Sequence, residues 1–168
     1  GGGGGGGGGG GLGGGGGGAP PPHALLTTPG AGKWYRSAGP WARQRLDFEV
    51  GPGAILEWLP QETIVFDGAL ASLESEVRLA RDARYVGWEI VCLGRTGSGE
   101  RFGRGLIRLD NKLYRDGKLV WLERGRIEGG GALLDSPAGL RGQPVCATLI
   151  AAGARDRKST RLNSSHGI

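Results

Sequence analysis

The feature that most constrains this chain is a two-residue alternation of apolar and charged side chains. In "RLDFEV", Leu46, Phe48 and Val50 alternate with Arg45, Asp47 and Glu49. Extended backbone turns that pattern into one apolar and one charged face, whereas a helix would scatter both. "EVRLA" at 76–80 alternates again and stops at Arg81-Asp82. "RYVGWEIVCLG" at 84–94 is a longer β-prone run, apolar enough for the centre of a sheet. "GPG" at 51–53 turns the chain before "AILEWLP". Within "GLIRLDNKLYRDGKLVWLER", Asp116-Gly117 predicts a two-residue type I′ hairpin, because both turn positions need positive φ. "PVCATLIAAG" reads as a final strand. The stretch "ALASLESEVRLARDA", 69–83, sits between strand signals and reads as loop plus strand. The pattern is therefore all-β, a pattern that sandwich, open barrel and stacked-sheet layouts share.

Both ends break character. Residues 1–18 are glycine except Leu12, so 17 of the 38 glycines lie there. Polyglycine has no side chain to bury and maximal backbone entropy to lose. Residues 155–168, "RDRKSTRLNSSHGI", carry four basic side chains against Asp156, which is +3 of the formal +5. The organisation expected is a polyglycine stretch over 1–18, a β domain over 19–154 and a foreign-looking tail over 155–168. Without the tail the basic balance is a weak argument for nucleic acid. Cys92 and Cys146 have neither zinc spacing nor a disulfide framework, and both sit in apolar runs typical of a reducing, cytoplasmic setting. No apolar run is long enough to cross a bilayer.

Several chemical motifs fail. "TTPGAGKWYRS" looks like the end of a phosphate-binding loop. That motif needs G-x-x-x-x-G-K-[ST], and here Thr27 stands at the first position and Trp34 at the last. No helix pattern follows to receive the anion. The dinucleotide pattern G-x-G-x-x-G breaks at Tyr35, Phe102 and Arg108. The nucleophile elbow fails around Ser98. Of the two histidines, His23 and His166, the second lies in the tail. One histidine beside a proline run does not orient a nucleophile, so hydrolytic and acyl-transfer chemistry lack support, and no tightly bound cofactor is expected.

Two constellations remain. Glu57, Glu89 and Glu123 each stand in a strongly apolar run, where an unpaired buried charge is costly. A salt bridge or an outward edge position is the plain account of each. Lining a wet internal passage is the other, because oxygen ligands without Cys or His hold late transition metals loosely enough to hand them on. Trp34, Tyr35, Trp41, Arg36, Arg43 and Arg45 form a basic-aromatic cluster. It suits core packing with solvated arginines, a protein interface or stacking on single-stranded nucleic acid, so a small basic β-domain binding nucleic acid is the rival function.

"LLTTPGAGKWYRS", "LEWLPQETIVFDGA", "GWEIVCLGR", "SGERF" and "RDGKLVWLER" resemble successive blocks of the urease accessory protein UreD (UreH) family, in that family's order and spacing, over residues 23–152. The resemblance implies stacked antiparallel sheets in a scaffold that is not an enzyme. It implies a protein that binds urease apoprotein and recruits UreF and, through it, the GTPase UreG, with UreE as a nickel donor. No nucleic acid or membrane partner is implied. Nickel passes through in transit to urease, and the family's acidic passage blocks fall on Glu89 and Glu123. The [ST]-x-P-G-A-x-K block falls on Thr27, Pro29, Gly30, Ala31 and Lys33, with Trp34 where the family usually has Phe.

Overall fold

The computed structural model describes residues 18–135 and 144–153. Residues 1–17 of the polyglycine stretch and the whole 155–168 tail therefore lie outside the described residues. Among the described residues ten strands form: β1 (His23–Leu26), β2 (Gly32–Trp34), β3 (Ala42–Val50), β4 (Ile55–Trp58), β5 (Thr63–Val65), β6 (Leu70–Leu79), β7 (Arg84–Leu93), β8 (Leu106–Arg115), β9 (Lys118–Glu128) and β10 (Val145–Ala152). Helix among the described residues is limited to a 3-10 turn, Thr96–Ser98, and α1, Ala132–Asp135. The all-β expectation holds. Leu70–Ser75, read above as loop, is instead the first half of β6, with Ala71 and Leu73 fully buried.

The strands form two sheets. One has the order β1-β4-β7-β5-β2 with β10 on the free side of β7, and the other runs β3-β6-β8-β9. The chain alternates between them. It makes β1 and β2 in the first sheet, β3 in the second, β4 and β5 in the first, β6 in the second, then β7 and β8. The result is a flattened coil of three turns, each laid beside the last. Corners stack on corners: Ala80 N–H donates to Val50 O at 2.9 Å, Arg84 N–H to Ala54 O at 2.8 Å and Asp116 N–H to Leu79 O at 3.0 Å.

This path corrects the antiparallel expectation. A strand that returns through the opposite sheet must lie parallel to its predecessor, so β3–β6, β6–β8, β1–β4, β2–β5, β4–β7 and β5–β7 are all parallel. Among the described strands only β7–β10 and the hairpin β8–β9 are antiparallel. Period-two alternation reports which face is buried and says nothing of strand direction. The central placing of β7 does hold, with β4 and β5 on one side and β10 on the other.

The second sheet keeps one face in water, and charged side chains line that face in rows. Arg45, Glu74, Asp110 and Arg124 align across four strands, as do Asp47, Glu76 and Lys112 across three. Arg43 reaches Glu74 at 2.6 Å, Arg78 reaches Glu76 at 2.7 Å and Arg124 reaches Asp110 at 3.2 Å. Exposed pairs of this kind add little stability singly. Arg43–Glu74 and Arg124–Asp110 cross between strands and offset the like-charge neighbours Glu74/Asp110 and Asp47/Glu76 that the register sets side by side.

The hairpin takes the predicted form, with φ of 48° at Asp116 and 75° at Gly117. A β-branched side chain disfavours that left-handed conformation, so Asp116→Val is expected to cost about 1–2 kcal/mol. Chemical denaturation against Asp116→Asn, which tolerates the conformation, measures it. Equal midpoints would refute the prediction.

Candidate functional site

Between the sheets, inward-facing side chains are found by counting alternate residues. On β6 they are Ala71, Leu73, Ser75, Val77 and Leu79, and on β8 Ile107, Leu109, Asn111 and Leu113. On β9 they include Trp121, Glu123 and Ile127, and on β7 Tyr85, Gly87, Glu89, Val91 and Leu93. Every one of these strands changes from apolar to polar at the same height and then back. The core is correspondingly split. One cluster holds Val65, Leu73, Val91, Leu93, Ile107 and Ile127, and the other Val50, Leu56, Val77, Leu79, Tyr85 and Leu113.

The polar layer between them is hydrogen-bonded. Asn111, 5% exposed, is its hub. Its Nδ2 donates to Glu89 Oε2 and to Glu123 Oε2, each at 3.3 Å. Ser75 Oγ donates to Asn111 Oδ1 at 2.7 Å. Ser75, Asn111 and Glu123 are register partners across β6, β8 and β9. Glu89 comes from the opposite sheet, where buried Thr148 of β10 is its register partner. Two carboxylates from opposite sheets thus converge on one neutral amide. Burial pushes the Glu89 carboxyl up to about 7. The Asn111 N–H opposes that rise and the charge of Glu123 adds to it.

Glu89 is reached through a break in the first sheet. β4 pairs with β7 as far as Trp58↔Gly87, and β5 resumes at Thr63↔Val91. Between these points β7 advances four residues, 87 to 91, while the β4–β5 chain advances five, 58 to 63. One turn further out, β1 and β2 bracket the same interval from Leu26, opposite Trp58, to Gly32, opposite Thr63, an advance of six. Each successive turn therefore carries one more residue than fits flat, and the surplus bows out as loops 27–31 and 59–62. The loops are fastened together, with Thr27 Oγ1 donating to Leu59 O at 2.7 Å and Gln61 N–H donating to Thr28 Oγ1 at 3.0 Å. Trp88 Nε1 donates to Pro60 O at 2.7 Å and props the inner loop. The opening is a cleft of about 280 Å³, lined by Thr28, Gln44, Gln61, Thr63, Trp88 and Glu89 among others.

The Pro29-Gly30 bend is thus part of the rim of this cleft. Thr27 and Thr28 are its fasteners, and Lys33 lies beyond it in β2. Of the three carboxylates singled out by sequence, the structure unites Glu89 and Glu123. Glu57 points outward and meets His23 Nε2 at 2.7 Å. Asn111 and Ser75 were not found from sequence, and the signal for both was parity: each takes a core-facing turn in an otherwise apolar inward series. The basic-aromatic cluster is dispersed. Trp34 packs on the core, Tyr35 meets Phe66 edge-on, Trp41 lies under Arg108, and Arg43 and Arg45 pair with Glu74, Asp47 and Glu76. Cys92 and Cys146 are both half-buried. Among the described residues no group of three His, Cys, Asp or Glu side chains converges, and no helix is long and apolar enough to cross a membrane.

Residues 18–166 match the family described as UreD urease accessory protein. The chain is 58% identical over 130 residues to the urease accessory protein UreD of Azoarcus sp. (strain BH72), covering 77% of this chain and 46% of that protein. It is equally identical over 130 residues to the UreD of Dechloromonas aromatica (strain RCB), 77% of this chain and 45% of the relative. To the UreD of Pseudomonas aeruginosa PAO1 it is 56% identical over 133 residues, 79% of this chain and 47% of the relative. The chain spans about half the length of these curated relatives. With more than half of its residues matched to the family and this identity over most of its length, the chain belongs to the UreD urease accessory protein family.

Proposed function

We propose that this chain serves urease maturation as a non-enzymatic, cytoplasmic scaffold that binds urease apoprotein and lets nickel pass through the layer between its sheets. UreF, the GTPase UreG behind it and the nickel donor UreE are the further partners that the family resemblance implies. The observation that carries the transit reading is the meeting of Glu89 and Glu123, from opposite sheets, beneath a cleft open to solvent. Nickel is the cargo. Two carboxylates form an oxygen-only set, which binds a late transition ion without the affinity that Cys or His would add. Such a set favours hand-over above storage.

Two measurements test this reading. Tagged chain expressed with the urease structural proteins is expected to co-purify with urease apoprotein, and its failure to do so sinks the scaffold role. Glu89→Gln combined with Glu123→Gln keeps shape and hydrogen bonding while removing charge. It is expected to leave co-purification intact and to reduce urease activation at limiting nickel by at least about tenfold. Full activation by the double variant would refute the passage.

A further inference from the structure

We propose that Asn111 is a positioning residue that sets how long a divalent cation stays between Glu89 and Glu123. This rests on the transit reading above. The amide is the only group among the three that does not titrate. Ser75 donates to its carbonyl oxygen at 2.7 Å, which turns the NH2 group toward the carboxylates. Carboxylates accept and cannot donate, so the opposite orientation would set three acceptors face to face. Both N–H bonds of one NH2 group are thereby committed, one to each carboxylate.

The NH2 group accordingly occupies one oxygen, Oε2, of each carboxylate and competes with a cation for both. An arriving ion has to displace two hydrogen bonds, and a departing ion is replaced at once by the same two bonds. At 5% exposure the amide has little water to turn to when displaced, so displacement is costly and return is favoured. The carboxylates of Glu89 and Glu123 are also held on one point despite their like charge. Asn111 in this role competes with the cargo and shortens its stay. It need not ligate the ion at all.

The test uses the 168-residue protein and Ni2+ alone, with transfer to a chromophoric chelator followed in stopped flow. Asn111→Leu removes the competing donor while keeping the branched side-chain shape and is expected to slow nickel release about tenfold, because two hydrogen bonds no longer compete with the ion for its ligands. Unchanged or faster release overturns the proposal. Because a leucine beside two carboxylates can unfold the protein, a second measurement uses the unsubstituted chain. Addition of Zn2+, a diamagnetic divalent ion, is expected to shift both side-chain amide proton signals of Asn111 away from hydrogen-bonded values. Signals that stay fixed while Zn2+ binds overturn the proposal without any substitution. Glu89→Gln with Glu123→Gln separates the two levels. If that variant binds nickel as the parent does, the transit reading fails and this one with it. If it loses nickel while Asn111→Leu releases it normally, only the role of Asn111 is wrong.

Discussion

Between pH 5 and pH 8 the protein is expected to lose stability that a Glu89→Gln variant keeps. An unfolded chain ionises a glutamate near its usual ~4.3. In the folded protein burial, with Glu123 alongside, raises that carboxyl to about 7. The folded state therefore binds this proton more tightly than the unfolded state. The resulting stabilisation is complete below the unfolded value and disappears as pH rises through about 7. The interval corresponds to roughly 3 kcal/mol, enough to dominate the pH dependence of a domain whose total stability is ~5–15 kcal/mol. Glutamine keeps the size and has no proton to lose. Urea midpoints measured at both pH values for both proteins decide the matter. Parallel losses would mean that Glu89 is ionised throughout.

A larger loss is expected from Gly105→Val. Gly105 precedes β8 at the corner where the third turn of the coil passes the second, with φ of +112°. A Cβ there would sit 2.3 Å from Ala69 O and 3.0 Å from Ala69 N. Both are backbone atoms at the start of β6, and Leu106 N–H donates to that same oxygen at 3.0 Å. No rotamer relieves such a clash. The strained φ adds about 1–2 kcal/mol and the forced backbone shift about 1–3 kcal/mol more. Gly117→Ala is the control: φ is also positive, at +75°, but nothing lies within 4 Å of the added Cβ. Denaturation midpoints should fall far more for Gly105→Val than for Gly117→Ala. Equal falls would mean the close approach is not there.

Much of the architecture was legible because alternation fixes faces. β3, β7, the β8–β9 hairpin and β10 lie where their patterns placed them. Strand direction was not legible, since side chains alternate identically whichever way a strand runs. The available clue was spacing: β3 and β6 are neighbours, yet nineteen residues lie between Val50 and Leu70, too many for a hairpin. At the site, an apolar setting flagged Glu57, Glu89 and Glu123 alike. Parity separates them. Leu56 and Trp58 face the second core cluster, so Glu57 faces out, whereas Glu89 shares its face with Tyr85 and Val91. Asn111 escaped notice because "RLDNKLYR" mixes polar residues from both faces, and only the inward set Leu109, Asn111, Leu113 isolates it.

The widening from four to five to six residues across the first sheet has an evolutionary consequence. The aperture above Glu89 is written first in chain length, with Thr27, Thr28 and Trp88 fastening the loops that the surplus residues create. Substitutions elsewhere along the rim can drift while the opening persists. A single codon lost from the 59–62 loop would let β4 and β5 run straight into one another, closing the way in and leaving most of the core untouched. Selection on this route should therefore act on insertions and deletions in loops 27–31 and 59–62, and the two lengths should be inherited as a matched pair.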